Sequence, residues 1–239
     1  MSSLLLVRHS QASFLQSDYD VLSELGHRQA RAIGEHWARL GWSLDAVFVG
    51  PRRRQQHTAE LAALAFEAAG GRFPDPIVLD ALDEYRAEPL VQRQLATLAE
   101  RDARLARLVA ELSASEDARG RARAFERVFQ SVMRSWQRGE VSAEGVEPWV
   151  EFSARVRDAL ASMTRDSGGG RRVAAFTSGG VIGVSVAHVL EAPDATALEL
   201  GWTLQNASVS ELLFSGARVS LSRFNDLAHL HDTAAWTYR

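Results

Sequence analysis

Short apolar runs divide the chain at intervals that suit strands separated by helices. These runs occupy residues 4–7, 46–49, 77–79 and 173–177, and a polar or glycine-containing turn follows each of them. A run of this length between turn signals is typical of a strand that is buried on both faces. We therefore predict four buried strands.

Apolar residues at helical spacing fill the segments between these runs. Helices are predicted at four places: residues 23–41, a stretch that ends near residue 69, residues 149–165, and a stretch that begins at Gly179. Two further apolar runs, at residues 209–214 and 219–224, predict a terminal hairpin. The alternation of strands and helices predicts an α/β fold, with a mostly parallel central sheet and helices on both faces.

One long segment departs from this alternation. From residue 88 to residue 138 the chain is rich in Ala, Leu, Arg and Glu and shows helical periodicity only. It predicts two or three helices, which we interpret as a helical cap inserted over about residues 88–146 into a single domain that spans residues 1–239. The alternative, helices that simply pack on the α/β core, stays open.

The composition narrows the function classes. The 239 residues are 46% hydrophobic and 24% charged with a net charge of −3, so we expect neither nucleic acid nor a membrane surface as a partner. The chain has no Cys, which excludes disulfides, thiolate metal sites and cysteine nucleophiles. All 27 basic residues are Arg, whose guanidinium forks suit phosphate. Without a signal-peptide pattern, the expected location is the cytoplasm.

Chemically active residues stand where the predicted strands end. Arg8 and His9 follow the first strand, "PRRRQQHTAE" follows the second, "LDEYR" the third, and "TSGG" the fourth. Ligands of parallel α/β sheets bind outside the carboxyl ends of the strands, so these segments should converge on one crevice. Arginines, a histidine, a carboxyl and a glycine-rich helix start are the groups that hold and transfer a phosphoryl group.

These segments resemble those of a known family. The stretch "VRHS" resembles the Arg-His-Gly signature of the histidine phosphatase superfamily, which has the phosphoglycerate mutase-like fold. In "PRRRQQHTAE" the match selects Arg54, which precedes a Thr-Ala pair by four residues, and "LDEYR" is similar to the segment that carries the family's acid. "AAFTSGGVIGV" and "RFNDLAHL" are similar to the last core strand with its helix and to the C-terminal tail.

The resemblance implies a role for each matching residue. His9 would be the nucleophile, Arg8 and Arg54 would clamp the phosphoryl oxygens, and Glu84 would be the general acid and then the base for water. Asp83 competes with Glu84 for the acid's role. No metal or other cofactor is implied, because the guanidiniums supply the positive charge.

The chain departs from the family pattern at two positions. Ser10 stands in place of the glycine after the first His, and Ser178 stands in place of a second His that normally donates to the phosphoryl group. We expect Ser10, Ser13, Ser178 and the amide of Gly179 to contribute to phosphate binding, with a helix cap as the alternative role for Ser178.

The second His needs a replacement if its donor role is kept. His229, in the tail, is the candidate, because that tail tends to lie beside the pocket in this fold. Loss of one preorganised donor costs on the order of 10²–10³ in rate.

Three activities are compatible with these residues. The leading hypothesis is a phosphatase that hydrolyses a small phosphorylated metabolite through a phosphohistidine on His9. The alternatives are a phosphotransferase of the mutase type and a weakened or inactive phospholigand-binding protein. A hydrolase with Ser178 as nucleophile is disfavoured, because the G-x-S-x-G pattern is absent. The oligomeric state stays open, and a homodimer is compatible with the fold.

Overall fold

The computed structural model describes residues 1–13, 20–115, 117–165 and 169–238. Within these ranges the chain forms one six-stranded sheet in the order β3-β2-β4-β1-β5-β6. The strands are β1 (Ser2–Arg8), β2 (Ala46–Val49), β3 (Ile77–Val78), β4 (Arg172–Thr177), β5 (Val209–Ser215) and β6 (Arg218–Asp226). The pairs β3–β2, β2–β4 and β4–β1 are parallel, whereas β1–β5 and β5–β6 are antiparallel. This confirms the predicted α/β class, its mostly parallel sheet and its terminal hairpin.

Eight α-helices accompany the sheet in the described ranges. They are α1 (Glu24–Arg39), α2 (Arg53–Ala68), α3 (Ala87–Arg101), α4 (Ala103–Ala114), α5 (Ala118–Gln137), α6 (Trp149–Met163), α7 (Gly179–Val189) and α8 (Asp194–Thr203). The predicted start of α1 is marked by Ser23, whose side chain accepts a hydrogen bond from the Gly26 amide. Gly41, with φ at +64°, lies just beyond the end of α1, in a conformation that glycine adopts without strain.

The sheet is buried because apolar side chains leave its strands in both directions. Leu5 and Val7 of β1 belong to a core cluster with Trp37 of α1 and Phe66 of α2. Alternate residues of a strand point to opposite faces, and Leu6, on the other face, has no exposed surface. Burial on both faces makes β1 a fixed support for the residues that follow it.

The structure differs from the sequence prediction at β3 and α8. Ile77 and Val78 are 54% and 55% exposed, so β3 is not a buried strand; it is an edge strand of the sheet. The sequence pattern does not predict α8, because Gly201 interrupts its apolar positions. A side chain at position 201 would lie 2.8 Å from the carbonyl oxygen of Gly179, so close packing of α7 and α8 requires the glycine.

Contacts divide the chain into two compact units. One comprises Met1–Glu84 and Arg155–Arg239, and the other comprises Tyr85–Ala154. Helices α3, α4 and α5 occupy the second unit, in the stretch for which two or three helices are predicted. Its interior contains Trp136, whose ring centroid lies 5.3 Å from that of Trp149 and 5.4 Å from that of Tyr85. No helix in the described ranges is long and apolar enough to cross a membrane.

Candidate active site

His9 is fixed by the main chain at the end of β1. Its N–H donates to the carbonyl of Thr177 at the end of β4, over 2.8 Å, and its own carbonyl accepts from the amide of Ala207, over 3.2 Å. The residue is 5% exposed. Two neighbouring strand ends therefore hold the imidazole in a site that is almost closed to water.

The ring of His9 has one tautomer that satisfies its contacts. Nδ1 lies 2.8 Å from the carbonyl oxygen of Ser10, which only accepts, so Nδ1 carries the proton. Nε2 then has a lone pair, and it accepts a hydrogen bond from Nε of Arg54 over 3.1 Å. Burial, followed by the charges of Arg54 and Arg8, holds the pKa of His9 well below its usual value, although the bond to Ser10 opposes this. In this hydrogen-bond arrangement the imidazole is neutral, and its lone pair is on Nε2.

Arg54 comes to this ring from the first turn of α2. Its guanidinium is largely buried, and its Nη1 donates to Oδ1 of Asp20 over 2.8 Å. The turn itself is fixed by Thr58, whose hydroxyl donates to the Arg54 carbonyl over 2.7 Å and accepts from the Ser10 amide over 3.0 Å. Thr58 thus ties the helix that bears the arginine to the loop that bears the histidine.

Arg8 approaches from the last position of β1. Its guanidinium donates to the main-chain carbonyls of Leu204 and Tyr238, the latter over 2.8 Å. Two carbonyls from the C-terminal third of the chain therefore orient this arginine. Its charge is near enough to His9 to lower the pKa of that residue.

The acidic segment after β3 is joined to the starts of α2 and α7. Oε2 of Glu84 accepts a hydrogen bond from the amide of Gly180 over 3.0 Å. Arg52 donates from Nε to Oδ1 of Asp83 over 2.5 Å and from Nη2 to the Glu84 carbonyl over 2.9 Å. The two acidic residues thus have different positions: Asp83 pairs with Arg52, whereas Glu84 lies at the N-terminus of α7.

Ser178 has no exposed surface and caps no amide of α7 with its side chain. Its Oγ instead accepts from Nε2 of Gln55, over 2.8 Å, and the same Nε2 donates to the Leu82 carbonyl over 3.2 Å. The predicted side-chain helix cap is therefore absent, whereas the predicted phosphate contact of Ser178 stays a prediction. Gly179, by contrast, lies beside Arg8: a Cβ at position 179 would be 3.9 Å from Nε of Arg8.

Ser10 and Ser13 differ in burial and in their contacts. Ser10 is fully buried, and within the described residues its Oγ has no hydrogen-bond partner. The φ of Ser10 is not positive, so the backbone does not require the family's glycine. Ser13 is half-buried and donates its amide to the Val21 carbonyl over 2.7 Å. Ser10 contributes to the site through its carbonyl, which fixes the His9 tautomer.

His229 lies beside His36, and its role as a replacement for the second His stays a prediction. Its ring is buried 6.2 Å from that of His36, in a small cleft that Trp37 and Asp226 also line. Burial, and then His36, lowers the pKa of His229 to about 4. The tail folds back on α1, and this places the ring beside His36.

Asp20 and Gln55 belong to the site, but no feature of the sequence identifies them as site residues. Asp20 follows a polar stretch that contains another Asp, at position 18, and spacing alone does not distinguish the two. Gln55 follows the arginine cluster, where it would be assigned to the helix surface, yet it has no exposed surface. No group of three or more His, Cys, Asp or Glu side chains among the described residues is placed to hold a metal ion.

Comparison with known proteins defines the class to which this geometry belongs. The model of the histidine phosphatase superfamily (branch 1) matches residues 4–124 and 110–227, nearly the whole chain. The chain therefore belongs to the histidine phosphatase superfamily. Comparison with the curated proteins gave no match.

Solved structures of this family share the fold. The mycobacterial glucosyl-3-phosphoglycerate phosphatase is 25% identical, with a TM-score of 0.62 over 95% of this chain and 99% of that one. Phosphoserine phosphatase from Entamoeba histolytica, solved with 3-phosphoglyceric acid, is 16% identical, with a TM-score of 0.62 over 96% and 100% of the two chains. YhfR of Bacillus stearothermophilus is 19% identical, with a TM-score of 0.65 over 97% and 100%.

The buried hydroxyl of Ser10 gives a first prediction. We expect Ser10→Ala to raise the free energy of unfolding by about 1 kcal/mol, because it removes a buried polar atom without a partner. Phosphate affinity should not change. The matched control is Thr58→Val, which removes a buried hydroxyl with two partners and should cost about 1–3 kcal/mol. Urea unfolding measures both; a loss of stability or of phosphate affinity in Ser10→Ala would contradict the expectation.

The burial of His229 gives a prediction for stability in acid. Its pKa is about 4 in the folded chain, below the usual 6.5, so between these values the unfolded chain binds the proton more readily. This contribution to stability is present above pH 6.5 and is lost as the pH falls toward 4. We expect the free energy of unfolding of wild type to fall by about 2 kcal/mol more than that of His229→Gln between pH 7 and pH 5.

The measurement is urea unfolding at the two pH values. The control is His188→Gln, which removes an exposed histidine of α7. If wild type and His229→Gln lose the same free energy of unfolding between pH 7 and pH 5, the ring of His229 titrates alike in the folded and unfolded chains, and the prediction is contradicted.

Proposed function

We propose that the protein is a phosphomonoesterase that transfers the phosphoryl group of a small phosphorylated metabolite to His9 and then to water. The observation that carries this proposal is the state of the imidazole: Nδ1 is bound to a carbonyl, and the lone pair of Nε2 faces Arg54. A neutral, oriented imidazole in a nearly closed site is a nucleophile that needs no further activation. The membership of the histidine phosphatase superfamily supports the same assignment.

In the first step Nε2 of His9 attacks phosphorus while the bond from phosphorus to the alkoxide oxygen breaks. To release its lone pair, Nε2 gives up the hydrogen bond from Arg54, whose N–H then turns to a phosphoryl oxygen. Arg8 and Arg54 neutralise the phosphoryl charge, and such charge neutralisation with positioning carries most of the catalysis in phosphoryl transfer. Glu84, in its protonated form, gives its proton to the departing alkoxide.

In the second step the ionised Glu84 takes a proton from a water molecule, whose oxygen attacks phosphorus. The bond from Nε2 to phosphorus breaks, inorganic phosphate leaves, and Glu84 is again protonated. Glu84 is favoured over Asp83 because the Asp83 carboxylate is bound to Arg52, whereas Glu84 reaches the start of α7. We assign part of the role of the missing second His to the amide of Gly179 at that helix start.

The substrate class follows from the chemistry and from the relatives. Two arginines and a helix N-terminus suit a phosphomonoester dianion. Solved relatives include a glucosyl-3-phosphoglycerate phosphatase and a phosphoserine phosphatase bound to 3-phosphoglyceric acid, both named for small phosphorylated metabolites. A cytoplasmic location and the absence of nucleic-acid and membrane partners stay predictions from the sequence.

The proposal is tested by phosphate release from an aryl phosphate between pH 5 and pH 8, with a chelator present. We expect wild type to turn over and His9→Ala to lose at least ~10³-fold of that activity, because the nucleophile is gone. His188→Ala, which removes an exposed histidine of α7, is the control and should match wild type.

The remaining outcomes separate the alternatives. If neither protein turns over but vanadate raises the thermal midpoint of wild type, the protein is a phospholigand-binding member that has lost its chemistry. If vanadate has no effect either, the phosphate site itself is refuted.

A further inference from the structure

The carboxylate of Asp20 accepts a hydrogen bond from Nη1 of the Arg54 guanidinium. We propose that Asp20 is a positioning residue: its carboxylate fixes Arg54 so that the edge bearing Nε faces His9. This role rests on the proposed function, in which Arg54 turns from Nε2 to the phosphoryl oxygens. Spacing in the sequence alone does not select Asp20 over Asp18.

The contacts of Asp20 place it behind the arginine with respect to His9. Oδ1 of Asp20 accepts from Nη1 of Arg54 over 2.8 Å, whereas Nε of Arg54 donates to Nε2 of His9 over 3.1 Å. A guanidinium is planar and rigid, and Nη1 does not share an edge with Nε. A phosphoryl oxygen can therefore use the Nε edge while the bond at Nη1 stays intact.

Burial makes this support necessary. The side chain of Arg54 is only 7% exposed, and a buried charge is costly unless it is paired. Two other guanidiniums, those of Arg8 and Arg52, act on the same histidine, and both lower the pKa of His9. The carboxylate of Asp20 offsets this positive charge, and it restricts a side chain that otherwise has many rotamers. A misplacement of about 1 Å can cost ~10²-fold in rate.

Asp20 also binds main-chain amides, and these bonds suggest a simpler role. At the first turn of α2 its Oδ2 accepts from the amide of Arg53 over 2.8 Å, and its Oδ1 accepts from the amide of Arg54 over 3.5 Å. If this were its only function, Asp20 would be a helix cap worth about 1 kcal/mol. The two roles are separable, because Asn at position 20 retains one oxygen for the amide but loses the second oxygen and the charge.

A double-mutant cycle tests the positioning role. We expect Asp20→Asn to lower kcat by 10–100-fold, with a smaller change in KM and in the thermal midpoint. Arg54→Lys removes the fork that Asp20 orients, so adding Asp20→Asn to it should lower kcat by less than ~3-fold. Aryl phosphate hydrolysis is measured for wild type, both single variants and the double variant.

Asp45→Asn is the matched control. Oδ2 of Asp45 also accepts a main-chain amide, that of Arg172 over 2.7 Å, but Asp45 precedes β2 and lies at the opposite edge of the parallel strands. The change in charge is the same, and kcat should equal that of wild type. If Asp20→Asn fails to fold, Asp20→Ser keeps a capping hydroxyl and takes its place in the cycle.

Two results would overturn the positioning role. One is an unchanged kcat in the folded Asp20→Asn protein. The other is an equal fold-loss in the wild-type and Arg54→Lys backgrounds, which is the signature of a helix cap. If wild type does not turn over, the proposed function is contradicted instead. In that case the positioning role predicts the same non-additive pattern in the affinity for vanadate across the four proteins. Additive losses of that affinity would overturn the positioning role.

Discussion

The parallel pairing of β1 with β4 is the constraint on which the site depends. In this register Arg8 lies opposite Thr177, so both strands end at the same level and the His9 amide meets the Thr177 carbonyl. β2 pairs with the other side of β4 and carries the arginine cluster to the same edge. A shift of the register by one residue would turn the side chains of β1 to the opposite faces and break this convergence.

The electrostatics of the site follow from the burial of this edge. A histidine that is withdrawn from water and surrounded by guanidiniums has a strongly lowered pKa, and it remains a neutral base under conditions in which an exposed histidine is charged. The same burial requires partners for the arginines. Arg8 finds them in main-chain carbonyls, whereas Arg54 finds one in Asp20. The two arginines thus differ in the kind of partner: neutral main-chain carbonyls bind Arg8, whereas a carboxylate binds Arg54 and reduces its positive charge.

The amino-acid sequence predicts the fold well, because short apolar runs are local signals, and the Arg-His pair at the end of β1 is a local signal for a candidate site. The apolar runs predict the hairpin of β5 and β6. They also predict the positions at which β2 and β4 end. Local signals do not show which way a side chain turns within a loop. Ser10 therefore looks like a phosphate contact in the sequence, yet the Thr58 bond to its amide leaves its hydroxyl in the interior.

Residues placed by long-range contacts are the ones that the sequence could not supply. His229 is directed to His36 by the fold of the tail, and Ser178 is bound by Gln55, which is 123 positions away along the chain. Exposure of β3 likewise depends on its place at the edge of the sheet, because its apolar residues resemble those of a buried strand. Each of these differences arises from tertiary contacts and none from a misread secondary structure.

The most direct test of the central claim is to trap the phosphoenzyme. Wild-type protein is mixed with an aryl phosphate, quenched in alkali, which preserves phosphohistidine, and mapped by mass spectrometry. Our account predicts one phosphoryl group on His9 that is lost on acidification. Turnover with the phosphoryl group on another residue such as Ser178, or with no phosphorylated enzyme at any quench time, would contradict it.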